Sequence, residues 1–114
     1  MTIDCTGVGL ITIDHLLVAC HYPKNNTKNI LEQHVMQGGG PVPTALAVLG
    51  KLGMRCELIS KVGRDEMAEF LEHELDAFHV GYQHLVHEEG VQTPESFIVI
   101  DKRNGDRTIF LYRG

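Results

Sequence analysis

Asp14 closes an apolar, largely β-branched stretch, Cys5-Thr-Gly-Val-Gly-Leu-Ile-Thr-Ile. An acid at the carboxyl end of a buried strand in an α/β protein points into the crevice where ligands bind. A short carboxylate there accepts hydrogen bonds from two neighbouring hydroxyls, the chemistry that sugar recognition needs; the alternative is a cap or a surface turn. Gly38-Gly39-Gly40-Pro41 is the strongest punctuation in the chain and stands before a helical pattern. Bare backbone N–H groups in such a run can cradle an anion, and the alternative is a plain glycine turn. No Gly-Lys-Ser/Thr follows, so it is not a Walker loop.

Other constellations carry less. Gly7-Val-Gly9 has the start of a dinucleotide fingerprint, but the third glycine would fall at Thr12, where the segment is still strand-like. His84-Leu-Val-His87, followed by Glu88 and Glu89, is the densest of the seven histidines' surroundings. A strand there would send the two rings to opposite faces, so the pair reads as solvated surface and no metal ligands are assigned. Glu72, Glu74 and Asp76 with His73 read as the wet side of an amphipathic helix, without function. Cys5, Cys20 and Cys56 are an odd trio with no C-x-x-C, each in an apolar stretch. They read as buried, reduced thiols of a cytoplasmic protein, and Cys5 as core rather than nucleophile.

The elements that must position Asp14 and the glycines follow from periodicity. Residues 5–13 read as one strand buried on both faces, and residues 15–37 as a hairpin or flap around the polar turn Pro23-Lys24-Asn25-Asn26. Residues 43–53 read as a helix capped by Gly53, 56–62 as a strand, 64–78 as a helix and 82–86 as another strand. Met67, Phe70, Leu71, Leu75 and Phe78 form the apolar face of the second helix. Residues 97–100 and 108–112 flank Arg103-Asn104-Gly105-Asp106, whose Asn-Gly favours a tight antiparallel hairpin. The order is a βαβαβ unit followed by two antiparallel strands.

With 114 residues the chain reads as one unit, 1–114, without linker or repeat. A chain of this size buries roughly 65% of its unfolded surface, and a hydrophobic content of 43% supplies a core. A formal charge of −5 gives no pull toward phosphate backbones or anionic lipid, which excludes nucleic acid and membrane as expected partners. The run from Val8 to Cys20 is broken by Asp14 and His15 and follows no cationic segment, so it is neither signal peptide nor membrane span.

Taken in order, Val-Gly-Leu-Ile-Thr-Ile-Asp14, then Gly38-Gly39-Gly40-Pro41 leading into Thr44-Ala45-Leu46-Ala47-Val48-Leu49-Gly50-Lys51-Leu52-Gly53, then Lys61-Val62-Gly63-Arg64-Asp65-Glu66, closely resembles the N-terminal part of ribokinase-like (PfkB) carbohydrate kinases. The resemblance covers the whole chain. It continues through Thr93-Pro94 and Phe97-Ile98-Val99-Ile100-Asp101 to Gly105-Asp106-Arg107-Thr108, similar to the family's lid hairpin, and ends at Tyr112-Arg113-Gly114. It implies an α/β fold, a Rossmann-like parallel sheet with helices plus a small antiparallel β lid, truncated, with lid segments at about 15–37 and 97–112. It also implies a kinase that moves the γ-phosphoryl of ATP to a sugar hydroxyl with Mg²⁺.

By the same resemblance Asp14 would bind sugar hydroxyls, while Gly39 and Gly40 would let the backbone approach the substrate and hinge the lid. Thr44 stands where the family usually has Asn; it keeps a hydroxyl but loses reach and the amide donor. Arg64 and Ala68 stand where the family often shows Asp and Gly. Arg113, at the end of the last lid strand, would reach a charged substrate group or face solvent. The family's catalytic base, in a Gly-Ala-Gly-Asp motif, and its nucleotide site lie in a C-terminal half, and this sequence has no such motif. The expectation is therefore an acceptor site and lid with no catalytic residue, binding neither ATP nor Mg²⁺ by itself and transferring no phosphoryl alone. The expected partners are a small-molecule sugar and a second copy, paired as a homodimer through the lid strands. The alternative is a non-catalytic module that binds a polyol or pairs with a partner by strand addition.

Overall fold

The computed structural model describes residues 2–114; Met1, where the expected unit begins, lies outside the described residues. The elements run β1 (Cys5–Val8), β2 (Thr12–Ala19), β3 (Gln33–Gly39), α1 (Pro41–Lys51), β4 (Cys56–Gly63), α2 (Glu66–Ala77), β5 (Val80–Glu88), β6 (Glu95–Asp101) and β7 (Arg107–Tyr112). They make two sheets. β1, β4 and β5 form a parallel three-stranded sheet in the order β1-β4-β5. The second sheet has the order β3-β2-β6-β7, with β2 and β6 parallel at its centre and antiparallel pairs on either side.

The expected βαβαβ unit is β1-α1-β4-α2-β5. Because the strand order advances steadily and such crossovers are right-handed, both helices lie on one face of the parallel sheet. That face holds the core: Leu46 of α1 and Ala68, Leu71 and Leu75 of α2 pack with Cys56, Leu58, Val62, Val80 and Leu85. Ile11 and Ile13 extend this core toward the second sheet. The other face leaves Val8 and Val86 exposed. Gly7 explains why α1 sits so close to β1: a Cβ there would lie 2.5 Å from Val42 Cγ1 and 2.8 Å from Leu46 Cδ1. The Gly7-Val-Gly9 pattern is thus a helix-packing surface.

The first expected strand, 5–13, is two strands in different sheets. The chain leaves β1 after Val8, Gly9 donates its N–H to the Ile59 carbonyl at 3.2 Å, and β2 begins at Thr12. Ile11 and Ile13 are both buried at the junction, so the run of apolar types stays unbroken across the change of sheet. Asp14 consequently lies inside β2 and not at a strand's carboxyl end.

The first helix opens earlier than 43 because Pro41 and Pro43, with φ already fixed, suit a first turn. Its entry requires glycine: Gly40 has φ 107°, and a Cβ there would lie 2.3 Å from the Leu10 carbonyl oxygen. Its exit is a Schellman motif, with Gly53 N–H donating to Gly50 O and Met54 N–H to Leu49 O, each at 3.0 Å. Gly53 lies past the helix end.

The expected flap and hairpin join as one sheet. His15, on β2, donates or accepts at both ring nitrogens, toward Glu95 Oε1 at 2.8 Å and His34 Nε2 at 3.3 Å, and stacks on Phe97 at 4.6 Å. The β6–β7 turn spans 102–106 and is longer than the tight Asn-Gly turn expected; Asn104 Oδ1 accepts from Asp106 N–H at 2.9 Å. β7 is exposed at every residue. The radius of gyration, 15.8 Å, exceeds the roughly 13 Å of a compact domain this long, as two sheets set side by side require.

The cysteines do not share one environment. Cys56 is buried and Cys5 half-buried, whereas Cys20 is exposed, because the apolar run that carries it is a strand of the second sheet and not interior. The Cys20 thiol donates to Glu32 Oε1 at 3.0 Å, and that hydrogen bond to a carboxylate pushes its pKa up.

Candidate functional site

Three connections link the two sheets: residues 9–11, Gly40, and 89–94. Asp14 stands beside them. In the β2–β3 pair Thr12 is opposite Gly39 and Asp14 is opposite Gln37. Thr12 and Asp14 share a face of β2, and the Thr12 hydroxyl donates to Asp14 Oδ1 at 2.8 Å. The carboxylate leans over the backbone of residue 39, where a Cβ would lie 2.0 Å from Oδ2 and 2.6 Å from Oδ1. Only glycine fits there. A carboxylate has about four acceptor sites, so Asp14 keeps capacity for hydroxyls of a ligand after Thr12 is satisfied.

The glycine run is held from the other side. Gly38 donates its N–H to Glu74 Oε1 on α2 at 3.1 Å. Glu74 was expected to face only water, and its neighbours also have partners: Glu72 pairs with His87, and Asp76 accepts from the Tyr82 hydroxyl. His84 turns instead to Glu57, at 3.1 Å, so the two histidines take partners on opposite faces of β5. Thr12 and Glu74 are the contacts that sequence reasoning missed. An alternate-residue Thr-x-Asp on a strand is the signal for the first; nothing in α2 marks the second.

The third connection is fixed by Asp65. It caps α2 by accepting from Ala68 N–H at 2.9 Å, and also accepts from Thr93 N–H at 2.9 Å and the Thr93 hydroxyl at 2.6 Å. Burial pushes the Asp65 pKa up, but the bonds from Thr93 and Ala68 outweigh it and hold the carboxyl below its ordinary value. Thr93 Oγ1 in turn accepts from Gly63 N–H at 3.1 Å, and Ile13 donates to the Pro94 carbonyl at 3.0 Å. The start of β2 is thereby anchored to the loop that enters β6.

The five expected site residues do not share one cavity. Asp14 and Gly39 are in contact, and Gly40 makes the turn into α1. Thr44, in the first turn of α1, donates its N–H to Gly40 O at 3.1 Å. With Gly39 it lines a groove of about 420 Å³ between α1 and α2, whose floor is Ile11, Leu71, Leu75 and Phe78. Arg113 lines a separate cleft of about 370 Å³ at the carboxyl ends of β1 and β4, with Gly9, Leu10, Lys61 and Pro94.

Among the described residues no three His, Cys, Asp or Glu side chains gather to hold a metal ion, and no Gly-Ala-Gly-Asp segment is present. Among the described residues no helix is long and apolar enough to cross a membrane.

The chain is 30% identical over 105 residues to ketohexokinase from Mus musculus, which covers 92% of this chain and 35% of that protein. It is 32% identical over 108 residues to a nucleoside kinase from Methanocaldococcus jannaschii, covering 94% of this chain and 35% of that protein. It therefore spans about a third of the length of the curated relatives it matches. Among solved structures, Arabidopsis thaliana ribokinase complexed with ribose and ATP superposes with a TM-score of 0.84 at 17% identity, over 98% of this chain and 36% of that one. That likeness shows the ribokinase-like fold. Residues 4–114 match the model for pfkB family carbohydrate kinases, and the chain belongs to that family.

Proposed function

We propose that this chain forms the sugar-acceptor side of an ATP-dependent carbohydrate kinase, which transfers the γ-phosphoryl of ATP to a sugar hydroxyl. The observation that carries this reading is the Asp14 carboxylate seated over Gly39 at the junction of the two sheets, steadied by Thr12. There Asp14 accepts hydrogen bonds from adjacent hydroxyls. Gly39 and Gly40 keep the backbone bare so that a sugar can approach, and the Gly40 turn serves as a hinge for the second sheet, which acts as a lid. Thr44 offers a hydroxyl from the start of α1.

The base and the site for ATP and Mg²⁺ belong to the part of such an enzyme that this chain does not span. Positioning of the acceptor is this chain's share of the catalysis, and phosphoryl transfer does not proceed with it alone. Two copies pair through the lid strands, because β7 exposes Ile109, Phe110, Leu111 and Tyr112 along an open edge. The protein works in the cytoplasm, in keeping with three unpaired cysteines.

Calorimetric titration of the chain with ribose and with fructose tests the reading. Saturable binding that Asp14→Ala weakens at least about tenfold is expected, the loss of a charge-assisted hydrogen bond. Equal affinity in the two proteins would remove Asp14 from the site.

A further inference from the structure

Three successive glycines are each held by a different element. Gly38 rests on α2, where a Cβ on it would lie 3.4 Å from Leu71 Cδ2 and 3.6 Å from Glu74 Cβ. Gly39 lies under the Asp14 carboxylate of β2, and Gly40 turns against the Leu10 carbonyl. Glycine has the widest choice of backbone conformation of any residue, and a run of three has no side chains with which to fix itself. The position of residues 38–40 is therefore set by what surrounds them. One of those surroundings is polar: Gly38 N–H donates to Glu74 Oε1 at 3.1 Å.

That bond joins the two sheets' halves of the molecule. Gly38 is opposite Ile13 in the β2–β3 pair, and Ile13 sends its N–H the other way, to the Pro94 carbonyl at 3.0 Å. Gly38 N–H accordingly faces outward from β3, an edge strand, where Glu74 of α2 meets it. Among the described residues it is the one side-chain hydrogen bond from α1 or α2 to a strand of the second sheet. Helix stability does not account for the acid, because Glu74 stands in the last turn of α2, where the macrodipole disfavours a carboxylate. Glu72 and Asp76 are engaged elsewhere, on β5, with His87 and the Tyr82 hydroxyl.

We infer that Glu74 is a positioning residue for the acceptor: by holding Gly38 on α2 it keeps Gly39 seated against Asp14, beside the Gly40 turn. This rests on the sugar-acceptor reading and adds to it a residue that touches no sugar itself. With the bond broken, residues 38–40 regain the freedom of a glycine run on an edge strand, and the Asp14 carboxylate loses the surface it leans on. Reach matters here more than charge. A backbone N–H is met equally by a carboxylate oxygen or a side-chain amide oxygen, provided the side chain is as long as Glu.

The test is calorimetric titration of the 114-residue chain with ribose and with fructose, repeated with Glu74→Asp, Glu74→Gln and Tyr82→Phe, each protein also followed by amide hydrogen exchange. Glu74→Asp keeps the charge and withdraws the oxygen by one methylene. It should expose the Gly38 amide to exchange and weaken sugar binding at least about fivefold, the loss of one hydrogen bond. Glu74→Gln keeps the reach and should retain the protection, with affinity within about threefold of wild type. Tyr82→Phe removes a different bond to α2 and should change neither readout. If Glu74→Asp exposes Gly38 while sugar affinity holds, the inference fails and the sugar reading stands. An unprotected Gly38 amide in the wild-type chain likewise overturns the inference. Equal weakening by Gln and Asp would assign the effect to charge, and equal weakening by Tyr82→Phe to a loosening of α2 as a whole; either overturns it. A wild-type chain that binds neither sugar overturns both inference and sugar reading.

Discussion

The carboxylate of Asp14 occupies the volume that a side chain at residue 39 would need, since a Cβ built on Gly39 would meet Oδ2 at 2.0 Å. Acid and glycine are therefore one unit: the glycine makes room for the acid, and the acid is presented by the strand that the glycine's own strand pairs with. Gly39→Ala must displace the carboxylate or spread β2 from β3. A loss of about 1–3 kcal/mol in urea unfolding is expected, the usual range for overpacking, together with loss of sugar binding. Wild-type stability and wild-type binding in this variant would contradict the contact.

The Asp65–Thr93–Gly63 cluster makes a separate prediction, about the loop that carries the chain from one sheet to the other. Thr93 is fully buried, and its hydroxyl both donates to Asp65 and accepts from Gly63 N–H. Thr93→Val keeps the shape and removes both bonds, leaving the Gly63 N–H unsatisfied at about 1–3 kcal/mol. Hydrogen exchange should show Gly63 N–H losing protection in the variant. Unchanged exchange there would mean that the bond contributes nothing.

At the far end of the second sheet Asp101 sets a pH dependence. The side chain of Arg103 hydrogen-bonds its carboxylate; burial opposes the shift, and the backbone N–H groups of Arg103 and Tyr22 add to it, so its pKa falls to about 2. The folded value lies below the ordinary 3.8, so this contribution is present in full above 3.8 and is lost as the pH falls toward about 2. A carboxyl titration followed by NMR should place Asp101 near 2. A midpoint near 4 would show that Arg103 does not hold the Asp101 carboxylate in solution.

Pairing of two copies through β7 is checked by size. The chain should elute from gel filtration as a dimer, and Phe110→Lys, placing a charge on the open edge strand, should shift it to monomer. A sharp monomer peak for the wild-type chain would rule out pairing through this edge at the concentration used.

Much of this architecture was legible in the sequence because it rests on local signals. The apolar stripe of α2 and the Gly53 exit each act over a few residues, and the parallel βαβαβ unit follows from them. The change of sheet at residues 9–11 was not legible, since apolar types run on through it, from Val8 and Leu10 to Ile11 and Ile13, and nothing in residue type marks the turn. That single miss moved Asp14 from a strand's end to its interior. Asp14 and the glycine run stood out as candidates by type, but their contact depends on the β2–β3 register. Thr44 and Arg113 were found by resemblance, and only the folded chain shows that they line different cavities. Glu74 was invisible, because an anchor on Gly38 uses the same carboxylate as a wet helix face.

The most direct measurement is an amide NMR titration of the isotope-labelled chain with ribose and with fructose. The account predicts saturable shifts concentrated at Thr12, Asp14 and Gly38 through Gly40, all abolished by Asp14→Ala. Shifts confined to the groove of Val48, Leu71 and Phe78, or an unperturbed spectrum at saturating sugar, would contradict the assignment of this chain as the sugar-acceptor side of a kinase.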